Sequence, residues 1–199
     1  MSHATLPEVF LARHGETAWA ISGQHTGLTD IPLTERGERN AASLGERLKG
    51  CEFSEVRTSP LQRATKTCEL AGFEGRARRD PDLVEWNYGD YEGRTTKDIR
   101  VDNPGWHIFH HGCPGGESLE HIAARADRVI VRLRAIEGRV LLFGHGHFFR
   151  VLAARWLRLP AGDGRHFLLG TAALSILGYE HNAHEPVIRL WNDNRHVTD

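Results

Sequence analysis

Two short apolar runs organise this chain. Val9-Phe10-Leu11-Ala12 and Val140-Leu141-Leu142-Phe143 contain no polar interruption. Strands buried on both faces of a parallel sheet read this way, because neither face meets water. Residues 118–137 have a different rhythm. Ile122, Ala126, Val129, Ile130, Leu133 and Ile136 return at helical spacing, so one face of a helix is apolar. Ser118 is its expected cap and Gly138 its expected end.

The remaining elements follow from local signals. Residues 8–13 are predicted as the first strand, and 22–33 as a loop with Gly23, Gly27 and Pro32. Thr34 can cap a helix running to Lys49, with Glu35 and Glu38 in its first turn and Gly50 after it. Residues 55–59 read as a strand. Ser59-Pro60 predicts a cap with proline at the first helical position, then a helix through Arg63 to Leu70. A loop-rich middle follows, with a short helix near 95–101. Strand 139–144 and helix 147–157 come next, and 171–179 and 187–191 read as final strands. Strands alternating with helices predict an α/β fold: a three-layer α/β/α sandwich with a mainly parallel sheet.

Composition narrows the function classes. The 199 residues fit one domain, 1–199, with a substantial core. The formal net charge of -1 offers no global field for nucleic acid or an anionic membrane surface. No run approaches the roughly 18 apolar residues of a membrane span, and Met1 to Glu8 lacks the pattern of a signal peptide. Cys51, Cys68 and Cys113 are odd in number and form no paired motif, which favours a reducing, cytoplasmic setting. The sequence sets no oligomeric state.

The chemistry gathers at the ends of the two apolar runs. The first leads into Arg13-His14-Gly15-Glu16, the second into Gly144-His145-Gly146. Open α/β sheets place ligands at the carboxyl ends of their strands, so both histidines are expected at one edge. Arg63 is expected in the first turn of its helix, where free N–H groups and a guanidinium favour phosphate. Glu85 lies among Trp86, Tyr88, Gly89, Tyr91 and Gly93, a partly desolvated setting that suits a general acid. Glu92 reads instead as structural, tied into the glycine turn. His145-x-His147 and His107-x-x-His110-His111 place histidines at close spacing, but a metallo-phosphatase also needs nearby carboxylates. No metal or cofactor is expected.

The chain resembles the histidine phosphatase superfamily, on its phosphoglycerate-mutase-like branch. The resemblance is carried by Arg13-His14-Gly15-Glu16-Thr17, Thr26-Gly27, Pro32-Leu33-Thr34, Ser59 through Ala64, Glu85 through Gly93, Gly116-Glu117-Ser118 and Gly144-His145-Gly146. It implies His14 as a nucleophile that becomes phosphohistidine. It implies Arg13, Arg63 and a protonated His145 on the phosphoryl oxygens, and Glu85 as proton donor. Thr26, Gly27, Trp86, Gly146 and His147 are the expected substrate contacts, and 94–115 the expected lid. His25, Trp106 and His107 are further candidates for lining the pocket.

A narrower likeness is to small phosphatases similar to sedoheptulose-1,7-bisphosphatase and to bacterial acid phosphatases. The mutases carry arginine where Trp86 stands, asparagine where Ala20 stands, and a longer insertion with paired arginines before the Gly-Glu-Ser stretch. The expected activity is therefore hydrolysis of a small-molecule phosphate ester. A cofactor-dependent phosphoglycerate mutase is the alternative, and a non-catalytic binding module a more remote one.

Overall fold

A computed structural model describes residues 6–198. The strands are β1 (Glu8–Arg13), β2 (Glu55–Thr58), β3 (Ala77–Arg79), β4 (Arg139–Gly144), β5 (Leu174–Tyr179) and β6 (Pro186–Asp193). They form one six-stranded sheet in the order β3-β2-β4-β1-β5-β6. The pairings among β3, β2, β4 and β1 are parallel, whereas β5 and β6 join antiparallel. The helices are α1 (Ala18–Ser22), α2 (Glu35–Leu48), α3 (Gln62–Cys68), α4 (Thr96–Asp102), α5 (Ile108–His111), α6 (Leu119–Arg134) and α7 (Gly146–Trp156).

The apolar runs feed two cores, as strand alternation requires. Val9, Leu11, Val140 and Leu142 point to one face, among Ile122, Val129 and Ile130 of α6 and Phe149 and Leu152 of α7. Phe10, Ala12, Leu141 and Phe143 point to the other, among Leu44 and Leu48 of α2, Cys68 of α3 and Phe73. This is the expected three-layer α/β/α sandwich with a mostly parallel sheet. No helix among the described residues is long and apolar enough to cross a membrane.

The predicted caps at Thr34 and Ser118 hold: their hydroxyls accept from Gly37 N–H and His121 N–H. Three local expectations need correction. Helix α6 ends at Arg134, and Gly138 (φ +86°) serves the turn into β4 instead. Helix α3 begins at Gln62 rather than after Ser59, with Leu61 at its cap position. The chain past α3 makes a wider turn over Glu69–Phe73, in which Gly72 (φ +87°) reverses the backbone. Helices α1 and α5 and strand β3 were not foreseen; each spans five residues or fewer, too short for a periodic signal.

Candidate active site

Parallel pairing of β1 with β4 puts the two motif histidines side by side. Arg13 is level with Gly144, and His14 N–H donates to Gly144 O at 2.9 Å. Both strands leave the sheet at the same edge, and the His14 and His145 rings lie 5.2 Å apart. Beyond His14 the chain presses on α2. A Cβ on Gly15 would sit 2.4 Å from Gly37 O, and one on Gly37 would sit 2.2 Å from Glu16 O. Glycine at both positions therefore sets the closeness of this backbone contact.

The histidine tautomers follow from their partners. His14 Nδ1 is 2.7 Å from Gly15 O, so Nδ1 carries the proton and Nε2 keeps its lone pair. Burial, then Arg63 and Arg13, hold the His14 pKa well below the usual histidine range. Its imidazole is neutral at pH 7, the state in which a ring nitrogen has a lone pair to offer. His145 Nδ1 accepts from Arg63 Nε at 3.2 Å, so its proton sits on Nε2, 2.8 Å from Ser59 Oγ. Burial and the same guanidinium push His145 well below its usual range. The protonated His145 expected from sequence is corrected to a neutral ring. Its one N–H, on Nε2, faces Ser59 Oγ.

Arg13 and Arg63 play different parts. Arg13 lines a chamber of about 200 Å³ together with His14, Thr17, Thr26, Glu85 and His147. Its Nη1 donates to Leu169 O, while its buried Nε has no partner among the described residues. An unsatisfied guanidinium donor at a polar chamber is a ready anion ligand. Arg63 is fully buried and does not line that chamber. Its Nη1 donates to Thr29 O at 2.9 Å and its Nη2 to Gly27 O at 2.7 Å, so it braces the loop beneath the chamber. The expected free helix terminus at Arg63 is also corrected: Gln62 N–H donates to Asp30 Oδ1 at 2.7 Å.

Glu85 is 4 % exposed and reaches the chamber wall. Its Oε1 accepts from Trp86 N–H and Phe148 N–H, both at 2.8 Å, and its Oε2 from His147 N–H at 3.0 Å. The carboxylate thus occupies the N-terminus of α7, where free N–H groups and the helix dipole favour an anion. Oε2 accepts from one N–H only, which leaves it room for a proton or a further partner. Arg125 aligns this segment. It donates to Val84 O at 2.6 Å and to Glu85 O at 3.2 Å, and it grips Glu117 through two bonds.

The expected substrate contacts separate into two groups. Thr26 and His147 line the chamber. Gly146 lies under Arg13: a Cβ there would stand 3.2 Å from its Cζ. Gly27 is structural, with its N–H on Glu92 Oε1 at 2.7 Å, which also confirms Glu92 as a turn brace. Trp86 is corrected to a core residue. Its ring is fully buried, edge-on to Phe109, and its Nε1 donates to Glu117 O.

Sequence reasoning missed Ser59 as a partner of His145, the bond of Tyr88 to His147 Nδ1 at 2.7 Å, and Arg125, whereas Tyr88 lines the chamber as its place among the aromatics suggested. Arg125 had a readable signal, since it falls on the apolar face of its helix. A loop from Leu168 to Ala173 supports His14 from behind. Ala172 N–H donates to His14 O at 2.9 Å, while Ala172 O accepts from His196 Nε2 at 2.8 Å. Gly170 N–H donates to Asn192 Oδ1 at 2.7 Å. Among the described residues, metal-ligating side chains converge in threes at exposed Glu180, His181 and Glu185, a group that includes none of the chamber residues.

Comparison with known proteins agrees with this geometry. The model of the histidine phosphatase superfamily, branch 1, matches residues 9–194. An acid phosphatase from Mycobacterium tuberculosis is 40% identical over 89% of each chain. Sedoheptulose 1,7-bisphosphatase from Saccharomyces cerevisiae is 32% identical over 92% of each. A solved structure of an open-reading-frame product from Mycobacterium tuberculosis superposes with a TM-score of 0.87 at 37% identity, covering 93% of this chain and 96% of that one. With paired histidines at one sheet edge, a family match along nearly its whole length and phosphatase relatives, the chain belongs to the histidine phosphatase superfamily and is a phosphatase.

Proposed function

We propose that this phosphatase hydrolyses small phosphate monoesters, such as sugar or other metabolite phosphates, through a phosphohistidine on His14 and without a metal. The observation that carries the proposal is the neutral His14 ring, with its Nδ1 proton fixed on Gly15 O, in the chamber that Arg13 lines. The whole chain acts as one domain, with the segment 94–115 as its lid.

In the first step the Nε2 lone pair of His14 attacks phosphorus while the bond to the ester oxygen breaks. Arg13 Nε stabilises the charge on the phosphoryl oxygens, joined by His145 Nε2–H once it turns from Ser59 Oγ to the phosphate, with Arg63 adding positive charge from behind. A sugar alkoxide is a poor leaving group, so Glu85 gives it a proton. In the second step a water attacks the phosphohistidine and gives its proton to Glu85. Phosphate leaves, and His14 recovers its lone pair. Hydrolysis is favoured over mutase transfer because neither an arginine from position 86 nor an asparagine from position 20 reaches the chamber: Trp86 lies in the core and Ala20 lines the wall.

The test is turnover of p-nitrophenyl phosphate and of hexose phosphates in the presence of EDTA, followed by a rapid acid-free quench for phosphohistidine. Turnover with label on His14 supports the proposal. Activity that vanishes in chelator and returns with zinc or magnesium overturns it.

A further inference from the structure

Arg125 is an unexpected residue for its position. It is buried on the face of α6 that also carries Ile122, Ala126 and Val129. Burying a charge pair costs desolvation that the mutual attraction often only balances. An apolar side chain would fill the same space without that cost, so stability alone does not account for an arginine here.

Its five N–H donors make five bonds. Nε and Nη2 donate to the two carboxylate oxygens of Glu117 at 2.9 and 2.7 Å. The other three bonds reach main-chain oxygens of Asp82 at 2.9 Å, Val84 at 2.6 Å and Glu85 at 3.2 Å. The guanidinium also lies 4.4 Å over the Phe148 ring, and Phe148 N–H holds Glu85 Oε1. Both chain segments that fix the Glu85 carboxylate therefore rest on one side chain. A lysine, with three donors and no planar fork, cannot reproduce this set. Glu117 extends it. Glu117 Oε2 accepts from Asn87 N–H at 3.4 Å, and Glu117 O accepts from Trp86 Nε1 at 2.8 Å. Glu117 N–H donates to Asn87 O and Asp90 N–H to Pro114 O, each at 2.9 Å. The stretch after Glu85 is thereby stitched to the end of the segment 94–115.

We propose that Arg125 and Glu117 are a positioning pair for the proton donor, which ties the aim of the Glu85 carboxylate to the root of the segment 94–115. The inference rests on the reading of Glu85 as general acid. Neither residue of the pair lines the chamber, so both act only through Glu85. A general acid must come within about 2.6–3.2 Å of the oxygen it protonates, so a small shift of its backbone matters only where a proton is needed. The pair makes no bond to Arg13 or His14, and phosphate binding is independent of it.

The test is the ratio of activity on fructose 6-phosphate to activity on p-nitrophenyl phosphate, whose leaving group needs no proton. It is measured where phosphoryl transfer to His14 limits the rate. Arg125→Lys should lower this ratio by about tenfold through kcat, within the loss of about a hundredfold that a displacement of about 1 Å can cause. Inhibition by vanadate should be unchanged. Glu117→Gln, which keeps the shape and removes the charge, is the second variant should Arg125→Lys not fold, with a smaller fall in the same direction. Either substitution placed in the Glu85→Gln protein should lower the ratio no further, because the pair acts through that carboxylate. Equal losses on both substrates, beside a selective loss in Glu85→Gln, would overturn the positioning role and leave the proton donor standing. A further fall of the ratio in the Glu85→Gln background would also overturn it. Equal losses in Glu85→Gln itself would sink the proton-donor reading and the pair's role with it.

Discussion

Arg63 donates its Nε proton to Nδ1 of His145 across 3.2 Å. An imidazole that accepts from a guanidinium cannot be an imidazolium on that nitrogen. His145 is therefore neutral, with its Nε2 proton facing Ser59 Oγ, and the positive charge beside it stays on Arg63. This division of labour sets the pH behaviour of the site.

Activity per folded molecule should show no acid limb near pH 6.5. His14 is held well below the usual range by burial and by two guanidiniums, so it remains an unprotonated nucleophile well into acid. A kcat/KM profile that falls with an apparent pKa of about 6.5 would contradict the assignment of tautomers.

Stability should move the other way. His14, His25, His145 and His147 all have folded-state pKa values below the unfolded value of about 6.5. Below that pH the unfolded chain takes up protons that the folded chain refuses. Stability is complete above about pH 6.5 and declines as the pH falls, each group adding a slope of about 1.4 kcal/mol per unit within its window. For His25 the window closes at about 4. Urea midpoints at neutral and mildly acid pH measure this. An unchanged midpoint would count against it.

Replacing His14 by alanine should remove nearly all turnover while the fold persists. Retention of more than about a tenth of kcat/KM, less than 1.4 kcal/mol of lost transition-state stabilisation, would exclude His14 as nucleophile.

Glu85→Gln should depend on the leaving group. p-Nitrophenolate departs unaided, whereas a sugar alkoxide needs a proton. The variant should lose far more activity on sugar phosphates than on p-nitrophenyl phosphate, measured where phosphoryl transfer to His14 limits the rate. Equal losses would reduce Glu85 to a cap on α7.

The mutase alternative is tested with 3-phosphoglycerate and catalytic 2,3-bisphosphoglycerate, following 2-phosphoglycerate and inorganic phosphate together. Phosphate should dominate. Rapid formation of 2-phosphoglycerate with negligible phosphate release would restore the mutase.

How much of this was legible depended on the kind of signal. The runs before Arg13 and before Gly144 gave the central strands, and their parallel register brought His14 and His145 together as expected. Thr34 and Ser118 announced their helices because capping is a local bond. Ser59 was misread for the same reason: its hydroxyl looked like a cap, yet the fold supplied His145 as its partner. Trp86 beside Glu85 looked like a pocket wall, but its ring turns into the core against Phe109 while, of the two, only Glu85 reaches the chamber. The bracing role of Arg63 required the loop carbonyls at 26–29, which no spacing in the sequence reveals.

The Leu168–Ala173 loop has a consequence for inactivation by heat. It holds the backbone of His14, and it is fastened in turn by Asn192 and His196, at the end of β6 and just beyond. That strand lies at the sheet edge, and most of its residues are only partly buried. Edge segments with few buried contacts open at lower free energy than the core. Fraying of β6 would loosen His14 while the central strands stay paired. Catalysis would then report a subglobal opening, and residual activity on heating should decline before the circular dichroism of the helices does.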